Sequence, residues 1–340
     1  MCNTLKYKLL KYRGETMSVK NEVLHILEQY KGQTISGQEL AEKLGVSRTA
    51  VWKAINILKD EGYLINGVSN KGYSLSSSSD LMSAEGIRTF LKNEFQTLPI
   101  SVYKTISSTN SEAKIQAMQN AEHGTVIISE EQTEGRGRMG RSFYSPAELG
   151  IYMSIILKPN LNISDSVLIT TAVAVAVCLA IDKFTNQEVK IKWVNDIYLN
   201  DKKICGILTE AVTDIESGTI NSVVVGIGLN VKTELFPSEL QEIAGSIFNT
   251  KNDSFIRNQL AAEIINNVLN MCDNIEDRSF LEIYKERSMI IGEKIKYLKN
   301  NQWFEGYAQD IDEFGGLVVF LEDGRKEVLH SGEISVRKQI

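Results

Sequence analysis

The stretch ISGQELAEKLGVSRTAVWKAINILKDEGY, residues 35–63, contains two short helical segments joined by a tight turn. Ser36 is placed to cap the first helix, and Glu39 follows three residues later, as in a capping box. Gly45 is placed to end that helix. Ser47 is placed to cap a second helix, in which apolar side chains recur every three to four residues. The stretch therefore predicts a helix-turn-helix.

The sequence on either side of this stretch predicts a winged helix. An apolar helical face precedes it at residues 23–27, and GYLINGVSNKGYSL, residues 62–75, gives two strand-like runs around a Gly/Asn-rich turn. The second helix carries near its start the mixture of cation, hydroxyl and amide groups that reads the major groove, so we predict DNA binding by residues 36–55. The candidate contacts are Ser36, Ser47, Arg48, Thr49, Lys53 and Asn56. A protein-interaction domain with a solvated polar face is the alternative, and Trp52 fits either a core position or a base contact.

The charge of the chain is distributed unevenly. Residues 1–80 carry 11 Lys and Arg against 8 Asp and Glu, whereas the remaining residues carry 26 against 35. A basic segment in front of an acidic body is weak support for nucleic-acid contact by the first segment. The chain is 43% hydrophobic and 24% charged, which is typical of a globular protein of two or three domains.

The cysteines and apolar runs indicate a cytoplasmic protein. The four cysteines form no C-x-x-C pair, and the three histidines have no metal partner nearby, which argues against a disulfide framework and a fixed metal site. The most apolar run, residues 167–181, is too short to span a bilayer, so we expect a buried helix and no membrane contact. The N-terminus does not resemble a signal peptide, and we expect residues 1–16 to be an extension before Met17.

The chain divides into three predicted domains of an α+β protein. The serine-rich stretch at 74–81 ends the first domain, residues 1–80. Residues 81–286 alternate strand-like and helical runs, which predicts a mixed α/β domain with a mostly antiparallel sheet. Residues 287–340 contain five short strand-like runs with turns between them, which predicts a small SH3-like barrel.

A loop of EGRGRMGRS, residues 134–142, combines glycines with arginines. Its glycines are Gly135, Gly137 and Gly140, and its arginines are Arg136, Arg138 and Arg141. The glycines follow the G-x-G-x-x-G spacing, but a strand rather than a helix comes next, so this is not a dinucleotide-binding turn. Glycines let such a loop approach a ligand closely, and guanidinium groups hold phosphate or carboxylate. We therefore predict a loop that closes over an anionic ligand. The alternative is a mobile basic loop without a ligand.

Three further clusters accompany this loop in the middle segment. They are SSTNSEA at 107–113, KWVNDIYLNDKKICGILTE at 192–210 and VVVGIGLNV at 223–231. Taken one at a time, they read as a helix N-cap, a turn and a close strand crossing.

Taken in order, the four clusters resemble the biotin protein ligase family. The motifs that carry the likeness are S-T-N, Q-x-x-G-R-G-R-x-G-R, K-W-x-N-D and G-I-G-x-N, and the likeness covers nearly the whole chain from about residue 18. The helix-turn-helix in front resembles the two-function branch, the biotin operon repressors with ligase activity. Two positions depart from the family, which usually has proline at Val194 and tryptophan at Phe143.

The resemblance implies a set of site residues. Ser108, Thr109 and Asn110 would bind the polar head of biotin, and Gln132 would add a hydrogen bond. The loop from Gly135 to Arg141 would close over biotin and its adenylate. Lys192 would contact the reacting carboxylate and the α-phosphate, with Arg138 as the second catalytic group. Gly228 and Asn230 would line the adenylate side.

The resemblance also implies an activity and its partners. ATP, accompanied by Mg²⁺ rather than a fixed metal site, would convert biotin to biotinyl-5′-AMP. The biotin would pass to a lysine of a biotin carboxyl carrier protein, either an acetyl-CoA carboxylase subunit or a pyruvate carboxylase domain. The adenylate would also act as corepressor for a homodimer on operator DNA. Three alternatives stay open: a biotin-sensing regulator without catalysis, a ligase for another acyl acid such as lipoate, and a ligase whose DNA-binding domain is vestigial.

Overall fold

A computed structural model describes most of the chain. The described ranges are 18–68, 71–158, 166–213, 220–248, 256–299 and 302–330, together with the backbone of three two-residue strands. The chain forms two compact units, residues 1–97 with 253–262, and residues 98–252 with 263–340. Among the described helices, none combines the length and apolarity needed to cross a membrane. The three-domain boundaries and the extension at 1–16 stay predictions.

The first unit contains the predicted winged helix. Its helices are α1 (Val19–Gln29), α2 (Gly37–Leu44), α3 (Arg48–Asp60) and α4 (Ala84–Arg88). Its strands are β1 (Lys11–Tyr12), β2 (Glu15–Thr16), β3 (Ile65–Val68) and β4 (Gly72–Leu75), which pair as two antiparallel hairpins. The hairpin of β3 and β4 is the predicted wing, and a bridge from Tyr73 to Ile35 attaches it to the start of the helix-turn-helix.

The caps predicted from the sequence set the helix ends. Ser36 Oγ accepts a hydrogen bond of 3.0 Å from Glu39 N, and Ser47 Oγ accepts one of 3.1 Å from Ala50 N. Gly45 follows α2 with φ of 66°, a conformation that glycine adopts without strain. The helix-turn-helix is therefore confirmed, and its buried side chains form one core with α1 and the wing.

The serine-rich stretch ends at a buried ion pair within the first unit. Arg257 is 1% exposed, and its Nε lies 3.0 Å from Asp80 Oδ2. The same carboxylate accepts a hydrogen bond from the Arg257 backbone N–H at 3.1 Å. The neighbouring Asn258 accepts from Ser83 N and donates to Leu81 O. These bonds fix residues 80–83 against the residues that begin at 256.

A seven-stranded sheet forms the middle of the second unit. Its strands are β5 (Ile100–Tyr103), β6 (Thr125–Ser129), β7 (Gly150–Leu157), β8 (Lys190–Lys192), β9 (Asp196–Leu199), β10 (Lys202–Thr213) and β11 (Ile220–Asn230). They lie in the order β5-β6-β7-β11-β10-β9-β8. β5 and β6 run parallel, and the other neighbouring pairs are antiparallel, which confirms the predicted mostly antiparallel sheet.

The helices in this part of the chain are α5 (Thr109–Met118), α6 (Ser166–Asp182), α7 (Arg257–Asp273) and α8 (Phe280–Glu286). Of these, α5 and α6 pack against the sheet. On one face, Ala113 and Ala117 of α5 pack with buried residues of β6, β7, β10 and β11. The apolar run at 167–181 is the predicted buried helix α6, which packs against β9, β10 and α8.

The last part of the chain forms a five-stranded antiparallel sheet, as predicted. Its strands are β12 (Lys294–Lys299), β13 (Gln302–Ile311), β14 (Leu317–Phe320), β15 (Lys326–Leu329) and β16 (Arg337–Lys338), in the order β15-β14-β13-β12-β16. The indole N–H of Trp193 donates a 3.0 Å hydrogen bond to Gly315 O in the turn before β14. This bond links the C-terminal sheet to the end of β8.

Candidate functional site

A cavity of about 410 Å³ lies in the second unit. It is lined by the first turn of α5, the glycine loop, strands β8 to β10, the 226–230 part of β11, and Leu298 of the C-terminal sheet. This volume is typical of a pocket for a small organic ligand.

Most of the predicted site residues line this one cavity. They are Ser108, Thr109, Asn110, Gln132, Arg136, Gly137, Arg138, Arg141, Lys192, Gly228 and Asn230. The two other predicted glycines, Gly135 and Gly140, belong to the same loop but do not line the cavity. A Cβ on Gly135 would lie 2.4 Å from Phe143 O, and Gly140 has φ of 72°. The four sequence clusters thus meet in space, although up to about 120 residues separate them in the chain.

The glycine loop forms a small hairpin at the edge of the cavity. Arg136 bridges Ser142 in an antiparallel arrangement, and Gly137 N donates to Arg141 O at 2.7 Å. Phe143 N donates to Gly135 O at 2.8 Å and closes the base of the hairpin. The hairpin brings three guanidinium groups to one wall of the cavity.

Arg138 is the most enclosed of the three arginines. Its Nη1 donates a 2.9 Å hydrogen bond to Asn195 Oδ1 in the turn between β8 and β9. Burial lowers the pKa of Arg138 from its ordinary value. The charge of Asp196 raises this pKa, whereas the charge of Arg141 lowers it further. A cation in a poorly hydrated position interacts strongly with an anionic ligand.

Two lysines line the cavity, and sequence reasoning identified one of them. Lys192 ends β8, and its Nζ lies 5.8 Å from the ring centre of Tyr198. Lys203, on β10, was missed, and its Nζ lies 2.7 Å from Asp196 Oδ1. The signal that could have identified Lys203 is Asn200-Asp201 between two strand-like runs, because a hairpin turn there pairs Lys203 with Tyr198.

Asn110 is held rigidly by protein groups. Its Nδ2 donates to Leu208 O at 3.3 Å and to Glu210 Oε2 at 2.9 Å, and Lys114 Nζ pairs with the other oxygen of Glu210 at 2.8 Å. The amide nitrogen therefore faces β10, and the amide oxygen faces the opposite way, toward Ser154 of β7.

Gln132 joins α5 to the glycine loop. Its Oε1 accepts a 2.9 Å hydrogen bond from Thr109 N, and its Nε2 donates to Ser145 Oγ at 2.9 Å. Ser145 in turn donates its hydroxyl hydrogen to Phe143 O at 3.0 Å. The amide of Gln132 therefore has one orientation, with its oxygen toward Thr109.

Two glycines of β11 make room for neighbouring side chains. A Cβ on Gly226 would lie 2.1 Å from Asn110 Oδ1, and one on Gly228 would lie 2.6 Å from the ring of Phe143. That ring also meets Tyr152 edge to face, with 6.4 Å between ring centres. The G-I-G pattern thus lets an amide and an aromatic ring pack directly on the strand.

Asn230 lines the cavity and has a buried amide oxygen. Its Nδ2 donates to Gly245 O at 3.0 Å, whereas its buried Oδ1 has no hydrogen-bond partner among the described residues.

Within the described ranges, no group of three or more His, Cys, Asp and Glu has the geometry of a metal site.

The candidate DNA contacts lie in the first unit. The hydroxyls of Ser36 and Ser47 are occupied as helix caps, Asn56 is half-buried, and the other three candidates, Arg48, Thr49 and Lys53, are exposed on α3. Trp52 is 54% exposed on the same face, which excludes a core position.

Comparison with known proteins agrees with this arrangement. Residues 19–74 match an HTH domain, residues 102–230 match the Biotin/lipoate A/B protein ligase family, and residues 290–337 match the Biotin protein ligase C terminal domain. The bifunctional ligase/repressor BirA of Bacillus spizizenii is 34% identical over 329 residues, which are 94% of this chain and 99% of that protein. The chain belongs to the biotin protein ligase family.

Other members of the biotin protein ligase family are also similar. BirA of Escherichia coli, again a bifunctional ligase/repressor, is 28% identical over 90% of this chain and 94% of its own length. The biotin protein ligase of Aquifex aeolicus, solved in complex with biotin and ATP, superimposes with a TM-score of 0.61 and 26% identity. It covers 71% of this chain and 99% of its own. The resemblance inferred from the four motifs is confirmed.

Proposed function

We propose that this chain is a biotin protein ligase that is also a DNA-binding repressor. It activates biotin with ATP to biotinyl-5′-AMP and transfers biotin to a lysine of a biotin carboxyl carrier protein. The observation that carries the proposal is the single cavity that gathers the S-T-N turn, the G-R-G-R loop and two lysines. Relatives named bifunctional ligase/repressor, and a ligase solved with biotin and ATP, support it.

The chemistry matches the charges of the cavity. The biotin carboxylate attacks the α-phosphate of ATP and pyrophosphate leaves; then the amine of the carrier lysine attacks the mixed anhydride and AMP leaves. Neither step requires a protein nucleophile. Both build negative charge, at the phosphate first and at the acyl oxygen afterwards, so both are accelerated by fixed cations.

Four cationic side chains have proposed roles in this chemistry. Arg138, held by Asn195, and Lys192 contact the reacting carboxylate and the α-phosphate. Lys203, held by Asp196, adds a second ammonium at the same wall of the cavity. Arg136 extends from the glycine loop toward the phosphates.

The polar head of biotin binds at the first turn of α5 in this proposal, with Ser108, Thr109, Asn110 and Gln132 around it. The glycine loop covers biotin and the adenylate, and Gly228 and Asn230 line the adenylate side. Enclosure by the loop protects the mixed anhydride from water. Phe143 contributes an aromatic surface in place of the family tryptophan.

Mg²⁺ enters this proposal with the phosphates of ATP. Asn230 lines the cavity, and its buried Oδ1 has no hydrogen-bond partner among the described residues. Oxygen is the ligand atom that Mg²⁺ prefers, and this ion is commonly held by few protein groups and several phosphate oxygens.

The partners follow from the two activities. The carrier is an acetyl-CoA carboxylase subunit or a pyruvate carboxylase domain. The adenylate, when no carrier consumes it, promotes a cytoplasmic homodimer that binds two operator half-sites through its paired winged helices. The exposed Arg48, Thr49 and Lys53 on α3 support this role.

The first experiment mixes the purified protein with biotin, ATP and Mg²⁺, and measures pyrophosphate release and bound biotinyl-5′-AMP by mass. Formation of the adenylate is the expected result. Binding of biotin without adenylate would instead indicate a sensor on a ligase scaffold. Activation of lipoate in preference to biotin, in a competition of the two acids, would reassign the substrate.

A further inference from the structure

Lys192 lies at the end of β8, which is the outermost strand of the seven-stranded sheet. The chain that follows α8 runs along the outer edge of this strand. Ile191 N donates to Arg287 O at 2.8 Å, and Met289 N donates to Ile191 O at 3.0 Å. Arg287 is itself fixed by two hydrogen bonds to the carboxylate of Asp182, on α6. The position of Lys192 therefore depends on the residues at the end of α8.

The turn after Lys192 is held from α8 as well. Tyr284 donates its hydroxyl hydrogen to Val194 O at 3.1 Å. Both residues are buried, and Val194 is the middle residue of the turn at 193–195 that joins β8 to β9. Burial raises the pKa of Tyr284 well above its ordinary value of 10, so the phenol keeps its hydrogen at neutral pH. Tyr284 lies outside the cavity lining, so it acts on the cavity through the turn.

This turn carries groups of the cavity at both of its ends. Lys192 precedes it, and Asn195, which accepts the hydrogen bond from Arg138, is its last residue. A buried carbonyl that loses its donor is costly, so without the phenol the backbone of the turn is expected to move toward another partner. A displacement of about 1 Å in a group that acts on the reacting atoms can lower a rate by about 100-fold.

We propose that Tyr284 is a positioning residue for adenylation, which fixes the turn at 193–195 and thereby the ammonium of Lys192. This inference rests on the proposed function, in which Lys192 contacts the reacting carboxylate and the α-phosphate. The polar head of biotin binds at α5 in that function, and the turn does not hold it. Loss of the phenol should therefore lower the rate of adenylation much more than the affinity for biotin.

Tyr284→Phe removes the hydroxyl and keeps the ring in the core. Pyrophosphate release under saturating biotin and ATP gives the rate of adenylation, and titration calorimetry without ATP gives the dissociation constant of biotin. We expect the rate to fall about tenfold because the turn is no longer fixed. The dissociation constant is expected to stay near its wild-type value.

Tyr297→Phe is the matched control. Tyr297 is also fully buried in the second unit, and its hydroxyl donates to Glu327 Oε2 at 2.5 Å, on β15. This variant loses a buried phenol hydrogen bond without loosening the turn, so its rate of adenylation should match the wild type. Circular dichroism establishes that each variant is folded. If Tyr284→Phe does not fold, Tyr284→Met removes the same hydroxyl with a side chain that adapts to the space.

A double-mutant cycle with Lys192→Ala separates positioning from a merely structural role. If Tyr284 acts through Lys192, its hydroxyl has little left to position once the ammonium is gone. Tyr284→Phe should then lower the residual rate of Lys192→Ala only slightly, so the two effects are not additive. A structural role would lower that residual rate by the same factor as in the wild-type background.

Three results would overturn the inference and leave the proposed function intact. They are an unchanged rate in Tyr284→Phe, a loss of biotin affinity as large as the loss of rate, and additive effects in the cycle. Failure of the wild-type protein to form the adenylate is distinguishable from these, because it appears without any substitution. That result refutes the proposed function, and this inference with it.

Discussion

Arg138 Nη1 lies 2.9 Å from Asn195 Oδ1, so the glycine loop is hydrogen-bonded to the turn between β8 and β9. Asn195 is itself held in place, because its Nδ2 donates to Ile207 O at 2.9 Å and to Asp196 Oδ1 at 3.0 Å. One amide thus couples a loop arginine to the sheet. In the proposed function, this coupling keeps the loop over the adenylate.

Asn195→Ala is expected to weaken closure of the loop without removing a charge. The bound adenylate should then be released or hydrolysed about tenfold faster when no carrier is present, as expected for the loss of one hydrogen bond to a charged group. Decay of the preformed adenylate, followed by mass, measures this. Asn274→Ala, at the exposed end of α7, is the control. If Asn195→Ala retains the adenylate as long as the wild-type protein does, the hydrogen bond between Arg138 and Asn195 does not keep the loop closed.

Lys192→Ala and Lys203→Ala are each expected to lower the rate of adenylation by roughly 100-fold, because each removes one cation from the developing charge. Pyrophosphate release under saturating biotin and ATP measures the rate. Lys190→Ala is the matched control: Lys190 lies on β8 with Lys192, pairs with Glu188 at 3.2 Å and lies outside the cavity lining. Unchanged turnover in either test variant would exclude that lysine from the chemistry.

Local signals made much of the fold predictable from the sequence. The strand-like run at Gly150–Leu157 is β7 in the structure, because a continuous apolar run between a glycine and a charged residue fits a buried strand. α5 begins at Thr109 because Ser108 caps it, which agrees with the N-cap interpretation of residues 107–113. Helical periodicity left Trp52 open because it adjoins the buried stripe of α3, and its exposure became apparent only in the folded unit.

The candidate site was predictable only where its residues fall in contiguous motifs. Lys203 was missed because its place in the cavity depends on the register between β9 and β10, which no single motif records. The hydrogen bond from Ser154 to Asn110 was not predictable either, because it joins a residue within an apolar strand to α5, which lies more than 30 residues earlier in the chain.

Gly228→Ala is expected to displace the ring of Phe143, because the new Cβ would lie 2.6 Å from that ring. Biotin binding should weaken by about tenfold or more, and Phe143→Leu should restore part of the loss by vacating the space. Calorimetric dissociation constants for the two single variants and the double variant give the coupling energy, expected at about 1 kcal/mol or more. Gly67→Ala, where the nearest atom is 3.9 Å away, is the control. Additive effects would show that the ring and the strand are not in contact.

Glu28→Gln is expected to stabilise the first unit at pH 7. Glu28 is 3% exposed, its Oε2 has no hydrogen-bond partner among the described residues, and Lys31 Nζ lies 3.8 Å away. Burial raises the pKa of Glu28. The charge of Lys31 lowers this pKa, whereas the charges of Asp80 and Glu85 raise it further. A raised pKa in the folded state means that the free energy of unfolding is greatest below the ordinary value of 4.5 and falls as pH rises through the folded value.

The glutamine variant lacks that ionisation, so its advantage in the free energy of unfolding should be present at pH 7 and should disappear below pH 4.5. Urea unfolding of the full chain at several pH values, followed through a probe in the first unit, measures the difference. Glu42→Gln, on the exposed surface of α2, is the control. An advantage that persists unchanged at acid pH would show that the effect does not come from the ionised carboxylate.

Lys53→Ala and Trp52→Ala separate two kinds of DNA contact on α3. A lysine on a phosphate releases counterions, so Lys53→Ala should weaken binding and reduce the slope of log affinity against log salt by about 1. An exposed indole carries no charge, so Trp52→Ala should weaken binding at every salt concentration while the slope stays the same. Fluorescence anisotropy with a duplex selected from a random pool, in the presence of biotin and ATP, measures both. Lys20→Ala is the control, because the ammonium of Lys20 pairs with Glu61 at 2.7 Å.

Biotin transfer should be unaffected in all three variants, because these side chains lie in the first unit and the cavity lies in the second. A loss of transfer in Lys53→Ala, or an unchanged salt slope, would contradict this division of labour.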